Sequence, residues 1–325
     1  MILAAAVLAG LGFLALPGAL ALLGKELAPR TWSLACLVAM LAGPVLLVAA
    51  LVPVSSAATL AAAGVLALSR SCAAMLGNVV PGGEAVATAG LLGAGLALSG
   101  GLRALRRSMR ARHRAHVEAG LGARLTTEGP FEVVVLDDAR PAAFSVPGRR
   151  SEGGQIVLTA GLIDLLPTGG LELVRAHEAA HLRHRHAAYL AATHAVEQAI
   201  GFFAPARRSA AALRLALERW ADEDAAGADR NRRARLSATL VAAAMGASHP
   251  LLAGPSWLVG FSSLGGLGER LAGLKVERRT RPHAVRLAAL VLPGLLLGGV
   301  GLFGIARLGQ VAWCAVAMAR ACGPT

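Results

Sequence analysis

The chain has 325 residues, of which 55% are apolar and 16% charged, well below the roughly 25% charge of an ordinary soluble domain. Its formal net charge is +13, and 30 of its 32 basic residues are arginine. This composition excludes a disordered chain, and four cysteines without a CxxC pair exclude a disulfide scaffold.

Residues 2–23 are apolar and uncharged, long enough at 1.5 Å per residue to cross a hydrocarbon core about 30 Å thick. No charged segment precedes them, so a retained span is expected rather than a cleaved leader. Lys25, Glu26 and Arg30 break the run. A second apolar run extends from Trp32 to about Ser69, interrupted by Pro44, Pro53, Ser55 and Ser56. It reads as one span at 33–54, then an extended or re-entrant stretch too short to cross before Arg70. Residues 85–102 form a third span whose Gly and Ala suit close packing in lipid.

The middle of the chain reads as an α+β domain. Glu132–Leu136, Pro141–Val146 and Gln155–Thr159 have strand composition. From Gly170 onward Leu171, Val174, Ala179 and Leu182 recur at helical spacing. A further long helix is expected over about Arg208–Ala226. A fourth span follows at 287–306, with a tail from Leu308 to Thr325. There is no internal repeat.

Between residues 101 and 286 lie 27 of the 32 bases and 17 of the 19 acids. Such a surplus suits nucleic acid or an anionic leaflet. The hydrophobic flanks favour the leaflet, and base-stacking aromatics are missing among the arginines, so no nucleic-acid partner is expected. Arg103, Arg106, Arg107, Arg110, Arg112 and Arg114 follow the third span, and Lys275, Arg278, Arg279, Arg281 and Arg286 precede the fourth. The positive-inside rule then places the middle section in the cytoplasm of a multi-pass protein of the cell membrane.

The chemistry is concentrated in His177-Glu178-Ala179-Ala180-His181. Residues i and i+4 of a helix share one face, so the two imidazoles can be neighbouring ligands of one tetrahedral Zn²⁺. Glu178, one residue on, is placed to act as a general base on water. A catalytic zinc keeps three protein ligands and one open position. Glu218 and Asp222, again i and i+4, offer the third ligand and an acceptor for a ligand imidazole. Glu223 and Asp224 read as a solvated face, as do His184, His186 and His194. Tyr189 and His194 are candidates to stabilise an oxyanion.

His177-Glu178-x-x-His181 followed by Glu218-x-x-Ala221-Asp222 resembles the gluzincin pattern of membrane metallopeptidases. Three spans before this domain and one after it resemble the M56 family, with its BlaR/MecR-like antirepressor sensors; the related M48 family, of the HtpX type, shares the Glu218–Asp222 element. The resemblance extends to Val133–Asp137, Pro141–Pro147 and Ile156–Leu162. It implies a multi-span α-helical membrane protein with an inserted α+β zincin-like domain: spans in 1–102, a cytoplasmic zinc metallopeptidase domain in 103–286, and a span with a short external tail in 287–325. It further implies an endopeptidase with one Zn²⁺ per chain, a lipid bilayer around it, and a protein substrate. That substrate is a transcriptional repressor in a regulatory role, or damaged membrane proteins in a housekeeping role. A non-catalytic zinc-containing membrane receptor is the alternative. With 18 residues after Arg307, the penicillin-binding domain of the M56 sensors is not expected. Pro141–Val146 is either an ordinary strand or an edge strand that pairs with an extended substrate. The apolar stretch Pro250–Gly268 either dips into the inner leaflet or lines a substrate groove. Cys72 and Cys322 both fall outside on this topology and can pair.

Overall fold

A computed structural model of the full chain describes residues 2–24, 27–62, 123–126, 130–148, 153–246 and 266–275, with scattered helical residues between 92 and 110 and between 294 and 317. Half of the span read at 85–102 and most of that at 287–306 lie outside the described residues. So do most of Pro250–Gly268 and both Cys72 and Cys322.

The N-terminal part is helical. α1 (Ile2–Ala19) and α3 (Pro29–Ala62) pack side by side, joined through the one-turn α2 (Ala21–Gly24). Small residues set their separation: a Cβ on Gly43 would fall 2.5 Å from Leu14 Cγ and 2.9 Å from the Gly10 carbonyl oxygen. Among the described residues one helical segment, Pro29–Ala49, is long and apolar enough to cross a bilayer, and the apolar segment Val7–Ala19 is shorter. The extended reading after residue 54 is corrected over residues 55–62, because α3 continues to Ala62; the rest of that stretch lies outside the described residues. Pro53 removes one ladder N–H, and the helix continues past it.

The sheet has four strands in the order β1 (Ala123–Thr126), β2 (Glu132–Leu136), β4 (Gln155–Thr159) and β3 (Ala143–Val146). β2 and β4 are parallel; the outer pairs are antiparallel. Expectation and structure agree to the residue for β2 and β4. β1 was not foreseen: it has four residues and its pairing shifts register between Arg124 and Thr126. β3 is an edge strand held by Thr159, whose hydroxyl donates to the Arg140 carbonyl at 2.7 Å and accepts from Ala142 N–H at 2.8 Å. Thr159 also caps the short α4 (Ala160–Leu165).

The remaining described helices are α5 (Gly170–Arg183), α6 (His186–Ile200), α7 (Ala204–Ala226), α8 (Arg230–Gly246) and α9 (Leu267–Lys275). They share two hydrophobic cores. One joins Leu14, Trp32, Cys36 and Met40 to Leu213 and Leu217 of α7. The other joins Val133, Ile156 and Leu158 of the sheet to Leu173, Leu236 and Ala225. α7 contributes to both. Its contact with α1 includes an inserted hydroxyl: Gly18 N–H donates to Ser209 Oγ at 2.9 Å, and Ser209 Oγ donates to the Leu14 carbonyl at 2.6 Å. Ser209 thus bridges the Gly18 N–H and the Leu14 carbonyl, which face each other across one turn of α1, one residue after Pro17 has removed a donor.

Candidate metal centre

α5 and α7 lie against each other with their charged turns in register. α5 buries Leu173, Val174, Ala180, His177, Glu178 and His181 on one side, which the i, i+3, i+4 spacing of these positions dictates. α7 brings Glu218 and Asp222 to meet them. All five polar side chains are at most 5% exposed. A buried cluster of this kind is costly unless every charge is paired.

The pairing is specific. His177 Nε2 and His181 Nε2 are 3.1 Å apart. Glu218 Oε1 lies 3.3 Å from His181 Nε2, and Oε2 lies 3.6 Å from His177 Nε2. Zn–N distances of about 2.0–2.1 Å at tetrahedral angles would hold donor atoms about 3.3 Å apart. The observed triangle fits that requirement. His177, His181 and Glu218 form a buried group that could hold a metal ion.

Around the triangle stands a supporting layer. His177 Nδ1 faces Asp222 Oδ1 at 3.0 Å. Arg270, which is 1% exposed, donates to both Asp222 oxygens at 2.7 and 2.8 Å and reaches Glu218 Oε2 at 2.9 Å. His181 Nδ1 faces His186 Nδ1 at 2.8 Å.

Protonation follows from these contacts. Burial disfavours a charged His177, but Asp222 and Glu218 outweigh it and lift its pKa to about 9. Burial alone would raise the Glu218 carboxyl; Arg270 and the two histidines instead hold it well below the usual range. Arg270 likewise overcomes burial to keep Asp222 ionised. Burial and the neighbouring imidazoles push His186 down to about 2, so it is neutral. The charge of Glu178 also acts on Arg270.

The structure therefore brings together His177, Glu178, His181, Glu218 and Asp222. Asp224 lies at the surface as expected, accepting from Arg183 at 2.7 Å and lying 2.8 Å from His184 Nε2, whereas Glu223 is half-buried. One expectation is corrected: His186 does not belong to a solvated basic face but is 0% exposed. α5 ends at Arg183, and the turn at Arg185 resets the helical phase that the expectation had continued. Tyr189 packs its ring against His186 and Trp220, and His194 is half-buried on α6. Arg270 was missed. It lies 48 residues beyond Asp222, where no local spacing rule operates. Its signal, an arginine opening a short amphipathic helix after an apolar stretch, is weak. A hollow of about 450 Å³ between Asp137, Gly161 and Asp164 shares no lining residue with the cluster.

Residues 106–252 match the model of Peptidase family M48. The matched stretch contains the sheet, the paired histidines, Glu178, Glu218 and Asp222, and it supports an M48-type zinc metallopeptidase domain. Arg270 lies beyond it. No curated protein and no solved structure matches the chain.

Proposed function

We propose that this protein is a membrane-embedded zinc endopeptidase that hydrolyses a protein substrate at the cytoplasmic face. The observation that carries this reading is the convergence of His177, His181 and Glu218 donor atoms at 3.1–3.6 Å beside a buried Glu178. A zinc ion held by these three residues supplies Lewis acidity to a water or a scissile carbonyl at neutral pH. Asp222 accepts the Nδ1 proton of His177 and thereby presents Nε2. Arg270 balances Asp222 and Glu218, which would otherwise repel each other in a medium of low dielectric. Glu178 takes one proton from the attacking water as its oxygen joins the carbonyl carbon. It returns that proton to the nitrogen as the C–N bond breaks. The edge position of β3, beside α5, supports pairing of an extended substrate along Ala143–Val146.

Membrane placement is supported by the apolar segment Pro29–Ala49. Leu34, Val38, Leu41 and Val45 are exposed along it at helical spacing, the stripe that lipid would cover. The exposed Arg103, Arg106, Arg107 and Arg110 support a cytoplasmic orientation of the domain. Two substrate classes suit the site. Regulatory cleavage of a repressor is what the resemblance to the M56 family implies. Housekeeping removal of membrane proteins, in the manner of an HtpX-like protease, is the reading that the match to Peptidase family M48 favours.

The test is cleavage of an unfolded protein substrate by detergent-purified wild type and Glu178→Gln. Loss of the base should lower turnover by about 10²–10⁴-fold, with zinc content and melting temperature unchanged. Equal turnover in both proteins would sink the mechanism. Zinc without cleavage in the wild type would favour the receptor reading.

A further inference from the structure

His186 is a buried imidazole that the peptide chemistry above leaves unassigned. Its Nδ1 is 2.8 Å from His181 Nδ1, and the two rings meet edge to face at 4.8 Å between centroids. Two imidazole nitrogens at that distance are joined by one proton, so one ring donates and the other accepts. His181 turns its Nε2 toward His177 and Glu218. A nitrogen that binds a cation must offer a lone pair, so the single ring proton of His181 belongs on Nδ1. His186 Nδ1 is then the acceptor, and the proton of His186 itself sits on Nε2. That nitrogen is buried without a hydrogen-bond partner among the described residues. Its ring packs against Trp220 at 4.8 Å and edge-on to Tyr189 at 6.2 Å, surroundings in which an N–H can face an aromatic ring.

The backbone is strained where this contact is made. Arg185, between α5 and α6, has φ +53° and is the one non-glycine residue with positive φ among the described residues. A left-handed conformation is disfavoured for such a residue, and strain of this kind persists where surrounding structure holds it. Here it turns the chain so that the next residue, His186, meets His181 one helical turn back.

We propose that His186 is a positioning residue for the metal. It accepts the Nδ1 proton of His181 and holds the ring with Nε2 toward the ion. This rests on the metal site proposed above. The two ligand histidines are thus supported unequally, His177 by a carboxylate and His181 by a neutral ring. A carboxylate in the place of His186 would add a negative charge to a pocket that already buries Glu178, Glu218 and Asp222 around one arginine. The imidazole orients its ligand without that cost.

The test measures zinc affinity by chelator competition on the purified full chain, with Co²⁺ absorption as a report on ligand geometry. His186→Asn keeps an acceptor near the Nδ1 position; His186→Phe keeps a ring and removes the acceptor. The Phe variant should bind zinc about 10–100-fold more weakly and shift the Co²⁺ bands, and the Asn variant should recover most of both. Wild-type affinity and spectrum in the Phe variant would overturn the proposal, as would an Asn variant no better than Phe. A readout without substitution guards against misfolding. Nitrogen-15 spectra of zinc-loaded wild type should show His181 protonated on Nδ1 and His186 on Nε2, and the reverse tautomers would overturn it. Wild type that binds zinc and loses it in Glu218→Ala, beside a Phe variant of undiminished affinity, rejects His186 alone; wild type without zinc rejects the metal site and this proposal together.

Discussion

The two halves of α7 keep different company. From Ala206 to Leu217 the helix is surrounded by α1 and α3, among Leu14, Trp32, Cys36 and Met40. Its one buried polar side chain there, Ser209, is satisfied wholly by the backbone of α1. From Glu218 to Asp222 the same helix enters a group of buried charges, and at Ala225 and Ala226 it rejoins an apolar core beneath the sheet. The first half is stabilised by burial of apolar area, which is non-directional. The second is stabilised only while each charge has its partner. The difference assigns the labour: the apolar half fixes where the helix lies, and that position decides whether Glu218 reaches the two histidines.

The contrast can be broken most sharply at Arg270. Arg270→Met leaves Glu218 and Asp222 without their shared cation. Removing one partner of a buried ion pair costs about 3–5 kcal/mol, so the metal-free protein should melt far below wild type. Zinc supplies positive charge beside Glu218, so the loaded variant should recover a good part of the loss. Thermal melting with and without chelator reads this, and an equal loss in both states would contradict it. The apolar half should respond in the opposite manner. Leu213 is 0% exposed, and Leu213→Ala should cost about 2–5 kcal/mol. The loss should be the same with and without zinc, with zinc affinity unchanged. A clear fall in zinc affinity in Leu213→Ala would show that the two halves are not separable. The smallest effect is expected at Ser209. In Ser209→Ala the Gly18 N–H can return to the Leu14 carbonyl as an ordinary helical bond, so the cost should be about 1 kcal/mol. A loss of several kcal/mol in chemical denaturation would mean that the inserted hydroxyl holds α1 and α7 together.

What was legible in the sequence is what local geometry governs. His177, Glu178 and His181, and separately Glu218 and Asp222, are pairs at i and i+4. Helical periodicity alone places each pair on one face, and the need of a catalytic zinc for three ligands joins the two sets. β2 and β4 were legible because β-branched runs ended at turn residues. The unforeseen parts depend on long-range placement or on a break in phase. Arg270 comes from a helix 48 residues away in sequence. His186 follows Arg183 and His184 in a run that reads as one continuous basic face, and only the left-handed turn at Arg185 carries it inward. α3 runs on through Pro53 at the loss of one ladder hydrogen bond, where a sequence rule expects a proline to end the helix. α6 and α8 were not separated beforehand, since α6 begins within that basic run and α8 opens on four arginines in its first six residues.

The measurement that bears most directly on the central claim is metal content. Purified wild type, Glu178→Gln and Glu218→Ala should be stripped with chelator, reloaded with zinc, desalted and analysed by elemental mass spectrometry. About one zinc per chain is expected in wild type and in Glu178→Gln, and a large loss in Glu218→Ala, as three protein ligands require. Wild type that retains no zinc, or Glu218→Ala that retains as much as wild type, would contradict the assignment of His177, His181 and Glu218 as the metal site.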